Sequence, residues 1–346
     1  MGVIYLVWGS TFFAIRLAID TIPPFIMAGT RFTLAGILLY AFVRLRNKTE
    51  KPTFAQWRSA SLVGCLMLLG GNGMISWAEL YVPTGLAALM VGMVPLWMAL
   101  LDWAFYRGPR PNTLMISGLG MGFFGLYALV GAPNLGGNTV DPTGAIVIVL
   151  ACGSWALGSL QSRRANLPKS PLLATAMQML SAGVALILLG TCCGEWTGFD
   201  IFSVTLTSCL SVLYLTLFGS ILAFSCYVWL LRVTTAARVS TYAYVNPLIA
   251  ILLGAAFLGE EISSRVILAG IAIIMAVVMI NLSKTRAASH HTSPEYQDSK
   301  ELKTPRDCHN PHILQVVTTP AVSMPDACRM SLNDNNSSSS SISSDT

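Results

Sequence analysis

The chain has 346 residues, of which 54% are hydrophobic and 11% charged, and its mean hydropathy is +0.63. Soluble domains carry about 25% charged residues, so the composition excludes a soluble globular fold and implies a polytopic membrane protein. The net charge of +5 is dispersed in short clusters between apolar runs, where cations set topology; nucleic acid is excluded as a partner.

Windows of about 20 apolar residues, enough to cross a bilayer core of roughly 30 Å, fall at 1–19, 24–42, 59–79, 85–105, 113–131, 143–162, 172–193, 208–231, 237–258 and 266–282. The first begins at Met1 with no basic leader and reads as a retained helix. The spacing therefore predicts an all-α transmembrane fold of ten helices. Beyond Lys284 and Arg286 the chain turns polar and ends in a serine-rich stretch. Such a segment buries too little apolar surface to fold, and residues 284–346 are expected to form a disordered cytoplasmic tail.

The connections alternate in charge. Arg44, Arg46, Lys48, Lys51 and Arg58 fall in one, Arg107 and Arg110 in another, then Arg163, Arg164 and Lys169, then Arg232 and Arg238; the intervening connections are nearly free of cations. By the positive-inside rule, both termini are cytoplasmic.

Six of the eight cysteines, Cys65, Cys152, Cys192, Cys193, Cys209 and Cys226, sit in or beside apolar spans without metal-ligand spacing. All four histidines lie at or after position 290. No metal site is expected, and an intramembrane hydrolase has no imidazole to use. Gly120, Gly122 and Gly125 match the letters of a dinucleotide fingerprint, but the fingerprint needs a strand before it. Within an apolar span these glycines predict close helix packing, and no cofactor is expected. No phosphate-binding loop of the Walker type is present either, which removes direct ATP drive.

Self-comparison reveals a repeat. Trp8, Arg16, Pro24 and Ala35-Gly36 recur as Trp155, Arg163, Pro171 and Ala182-Gly183, while Gly85, Pro95, Phe105 and Gly118 recur as Ala237, Pro247, Phe257 and Gly270. Residues 1–132 and 143–283 are thus expected to be two five-helix repeats, and the odd helix number inverts the second in the membrane. Pro95 and Pro247 lie at matching depth in their spans. Each lacks an amide proton and frees the carbonyl four residues before it, so the pair predicts two helix breaks beside a midplane site, as in secondary transporters.

The stretches Trp8-Gly-Ser-Thr-Phe, Ala28-Gly-Thr-Arg31-Phe, Gly71-Asn-Gly-Met, Pro83-Thr-Gly-Leu-Ala-Ala and Tyr242-Ala-Tyr-Val-Asn-Pro247 resemble the EamA-domain family of the drug/metabolite transporter superfamily, bacterial inner-membrane members above all. The resemblance covers residues 1 to about 283. It implies a ten-helix carrier with helices one to four and six to nine around a cavity, exporting small metabolites such as amino acids or related compounds. The long tail has no counterpart in the family pattern.

Arg31 lies about seven residues into its span, where lipid exposure of a guanidinium costs at least roughly 2.5 kcal/mol. It is expected to face the cavity, binding an anionic group of the substrate or holding Glu79. Trp8, Trp155, Tyr242 and Tyr244 are candidate pocket rings, and Asn246 beside Pro247 is a candidate amide. The motif stretches add Ser10, Thr11 and Asn72, and Pro95 and Pro247 complete the substrate path. The partners expected are a small-molecule substrate and the lipid bilayer; proton coupling and a homodimer stay open. The competing readings are an integral-membrane transferase, which would need clustered carboxylates or a histidine site at the membrane face, and a non-transporting receptor or assembly subunit.

Overall fold

The computed structural model describes residues 1–46, 51–106, 108, 112–131, 141–234, 239, 242–260 and 262–290. The serine-rich tail lies outside them. The described residues are helical apart from short connections, and contacts gather residues 1–285 into one unit. Among the described residues, besides a short turn of 3-10 helix at Ile201–Ser203, ten helices run in chain order: α1 Gly2–Ala18, α2 Pro24–Arg46, α3 Phe54–Ala78, α4 Thr84–Tyr106, α5 Thr113–Gly131, α6 Pro142–Ser162, α7 Pro171–Cys192, α8 Leu206–Val233, α9 Tyr242–Leu258 and α10 Ser264–His290. Six of them are long and apolar enough to cross a membrane by length and composition, and α1 with parts of α5, α9 and α10 are shorter apolar helices. The protein is an all-α transmembrane bundle.

Local chemistry sets the helix starts. Thr53 and Gln56 form a reciprocal capping box, Gln56 N–H donating to Thr53 Oγ1 at 3.3 Å and Thr53 N–H to Gln56 Oε1 at 3.0 Å, so α3 starts at Phe54, earlier than its apolar run. Asp141 caps α6 from the Ncap position with Pro142 behind it, accepting from Thr143 and Gly144 N–H. The starts of α2 and α4 are held from a distance. Glu195, in the connection after α7, accepts from Phe25 and Ile26 N–H at 3.1 and 2.9 Å; Glu260, in the connection after α9, accepts from Thr84 and Gly85 N–H at 2.6 and 2.9 Å. Carboxylates there answer both the unpaired amides and the positive end of the helix dipole.

Packing follows the repeat. Helix α2 lies on its counterpart α7, and α4 on its counterpart α9; α3 meets α6 as α8 meets α1, and α4 meets α6 as α9 meets α1. The α2–α7 crossing is reciprocal at the atomic level: a Cβ on Gly29 would stand 3.0 Å from the Gly183 carbonyl oxygen, and one on Gly183 would stand 3.0 Å from that of Gly29. Between membrane helices there is little hydrophobic drive, so close backbone approach supplies the attraction. Gly122 and Gly125 do the same for α5, against Leu96 of α4 and against Ala272 and Ile273 of α10. Both third helices also carry a wide π-helical segment in mid-span, Cys65–Gly73 in α3 and Leu215–Phe224 in α8. Such segments gather at functional sites.

The two prolines differ. Helix α4 breaks into arms Thr84–Val91 and Val94–Tyr106, with the turn at Gly92 and Met93 tightening to three-residue hydrogen bonds. Pro95 produces the expected interruption. The expected break at Pro247 is corrected: α9 runs through it from Tyr242 to Leu258. Among the described residues the helix shows no interruption at Pro247. With its nitrogen turned to the carbonyls, the Asn246 amide donates to Tyr242 O and to Tyr5 O of α1, both at 3.1 Å, pinning this end.

Candidate functional site

A cavity lies between the repeats, lined from α1, α2, α3, α4, α6, α8 and α9, with about 60 Å³ open to the centres of water-sized spheres. That is room for a few waters or a small polar head. Of the candidates read from sequence, Trp8, Thr11, Arg31, Asn72, Trp155, Tyr242 and Asn246 line it. Ser10 turns away, its hydroxyl 2.7 Å from the Tyr214 hydroxyl. The rings of Pro95 and Pro247 do not reach the cavity; their neighbours Val94 and Asn246 do. The side chain of Tyr244 lies outside the described residues.

One wall is aromatic. Trp8 and its repeat counterpart Trp155 meet edge to face, centroids 5.5 Å apart, where the two repeats face each other. Tyr227 stands 5.0 Å from Trp8 and 5.5 Å from Trp155, and Tyr242 5.1 Å from Trp8. Buried phenols and indoles need partners, and these have them: Trp8 Nε1 donates to Gly219 O at 3.3 Å, Trp155 Nε1 donates to Tyr227 Oη at 3.2 Å, and Tyr227 Oη lies 2.8 Å from Ser159 Oγ. This network fixes the rings in place. Sequence reading missed Tyr227; the available signal was a lone phenol in the last third of a long apolar span, where something must satisfy its hydroxyl.

The charge in the lining comes from α2. Arg31, 3% exposed, gives Nη2 to Asn72 Oδ1 at 2.6 Å, and its guanidinium carbon stands 4.3 Å from the Phe32 ring centroid. Asn72 belongs to the π-helical segment of α3, whose widened turn carries it on the cavity side. The Nε and Nη1 donors of Arg31 are buried and have no partner. Arg31 lies about 10 Å along α2 from its start at 1.5 Å per residue. The expected pairing with Glu79 is not formed: Glu79 is 1% exposed, off the cavity, and both its carboxylate oxygens lack a hydrogen-bond partner. No group of three or more histidine, cysteine or acidic side chains among the described residues could hold a metal ion.

The model of the EamA-like transporter family matches residues 2–131 and 142–282, one match per repeat. The chain belongs to the EamA-like transporter family. Its relatives include the "uncharacterized inner membrane transporter YedA" of Escherichia coli K12, 41% identical over 283 residues, 81% of this chain and 89% of that one. The "uncharacterized transporter YvbV" of Bacillus subtilis is 24% identical over 290 residues, 83% and 92% of the two chains. A solved crystal structure aligns with a TM-score of 0.60 at 21% identity, covering 83% of this EamA-like chain and 96% of that chain; at that identity the likeness is one of fold. As an EamA-like protein, the chain is a membrane transporter.

Proposed function

We propose that the protein is a secondary carrier exporting small metabolites with an anionic group, amino acids or related compounds, by alternating access around the cavity between its inverted repeats. The observation that carries this reading is Arg31, buried with two unpartnered donors in the lining of a cavity that Trp8, Trp155 and Tyr242 also line. A guanidinium presents its donors as a rigid fork matched to carboxylate or phosphate. The aromatic side offers a surface for an apolar body, and Asn72 and Asn246 supply polar discrimination. The alternating basic connections support cytoplasmic termini, and cysteine labelling that found position 48 exposed outside the cell would overturn that orientation.

Screening labelled metabolites for efflux from cells expressing the protein tests the reading. A charge-assisted hydrogen bond contributes about 1.5–3 kcal/mol, so Arg31→Gln is expected to weaken substrate affinity about tenfold or more, and Arg31→Lys less, because it keeps the charge while losing the fork. Unchanged affinity and turnover in Arg31→Gln would refute the anion site; absence of flux for every metabolite tested in sealed vesicles would favour a receptor.

A further inference from the structure

Glu79 has no role in the cavity wall, yet it is among the most deeply buried charge-bearing groups described. It follows Ala78 at the end of α3, and neither carboxylate oxygen meets a donor. Three charged groups act on it: Glu260 from the connection after α9, Arg16 from α1 and Arg31 from α2. Each is engaged elsewhere. Glu260 holds the Thr84 and Gly85 amides, Arg16 Nη1 donates at 2.8 Å to the backbone carbonyl of Glu79 rather than to its side chain, and Arg31 holds Asn72. An ionised carboxylate without donors is strongly disfavoured at such a place. A bound proton removes the charge and leaves a neutral acid that fits.

We propose that Glu79 is a proton-binding site whose ionisation alternates with occupancy of the anion site at Arg31. With Glu79 protonated, the Arg31 cation is left for the anion of a substrate. With Glu79 ionised, Arg31 gains an internal counter-ion and the substrate anion leaves. The O–H bond of Glu79 forms as the anion arrives, and its proton returns to water as the anion departs, so one proton travels with one negative charge and the load is electroneutral. Direction is set by the two gradients together. The short segment 79–83 joins Glu79 to the start of α4, where Glu260 holds the Thr84 and Gly85 amides, and its Leu80 and Tyr81 are exposed.

Infrared titration of the full chain in lipid nanodiscs reads the proton directly. A protonated-carboxyl band is expected in the wild type at neutral pH and is expected to be missing from Glu79→Gln. Identical carboxyl bands in the two proteins throughout the titration would overturn the site. If Glu79→Gln fails to fold, Glu79→Asp keeps the acid and must shift the band; an unshifted band has the same overturning force. The coupling rests on the carboxylate site proposed at Arg31 and is read separately, with benzoate as probe. Its affinity is expected to fall by about tenfold per pH unit once Glu79 has lost its proton, and to be independent of pH in Glu79→Gln. Benzoate binding that is independent of pH in the wild type overturns the coupling. Benzoate that binds at no pH overturns the carboxylate site and the coupling with it, and the infrared band then decides the proton site alone.

Discussion

The two repeats share their packing and divide their chemistry. Where α2 carries Arg31, the counterpart position on α7 carries Gln178, equally buried and with neither amide atom partnered. Where α4 presents Val94 to the cavity, α9 presents Asn246, and where α4 breaks before Pro95, α9 continues through Pro247. Positions that make the halves touch are kept small or alike: Gly36 faces the Ala176 carbonyl as its counterpart Gly183 faces that of Gly29, and Trp8 meets Trp155. A guanidinium on one half alone, with Asn246 at Val94's counterpart position on the other, gives the cavity a polarity that the matched Trp8 and Trp155 do not.

Gln178→Arg attacks this division most severely. It places a second guanidinium where the wild-type amide already lacks partners, and an unpaired buried charge costs about 3–5 kcal/mol. Loss of folded protein in detergent, read by thermal unfolding, is the expected result. Full stability would mean that α7 has a wet face toward the cavity and that the repeats are chemically closer than described.

The seam comes next. Gly29→Ala and Gly183→Ala each press a methyl group on the facing backbone, an overpacking worth about 1–3 kcal/mol. Because the contact is reciprocal, the two losses are expected to be alike and the double variant to lose less than their sum. A loss at one site alone would break that reciprocity. The prolines make the smallest difference in stability and the most selective one in transport. Pro95→Ala restores an amide where α4 breaks and is expected to slow efflux, whereas Pro247→Ala lies in a helix already continuous and is expected to change little. Equal effects of the two on transport would return them to being a matched pair.

The ten spans were readable because membrane helices are long apolar runs, and only their ends moved; α3 began early because Thr53 and Gln56 cap it. Arg31 was readable from depth alone, since a charge so far along a span has few places to go, and Trp8 with Trp155 from the repeat. Neighbours were harder. Arg31 and Glu79 fall in the same half of adjacent helices, yet Asn72 takes the guanidinium, because a π-helical turn rotates α3 in a way that residue spacing does not announce. Ser10 sat in a promising motif but faces Tyr214 on α8, a matter of helix rotation. Pro247 looked like Pro95 because composition gives depth in a span without showing whether the helix continues through the proline.

Glu195 and Glu260 have a consequence for the order in which the protein is made. The start of α2 waits for a residue 170 positions later, and the start of α4 for one 176 positions later. At roughly 5–20 residues per second of synthesis, each helix end stays uncapped for about ten to thirty seconds after it emerges. Throughout that interval the first half of the chain is an unfinished object, its open amides turned to the cation-poor side, and the ribosome delivers its fasteners last. A messenger cut between the repeats would therefore yield a first half whose α2 and α4 fray at their starts until the other half is supplied.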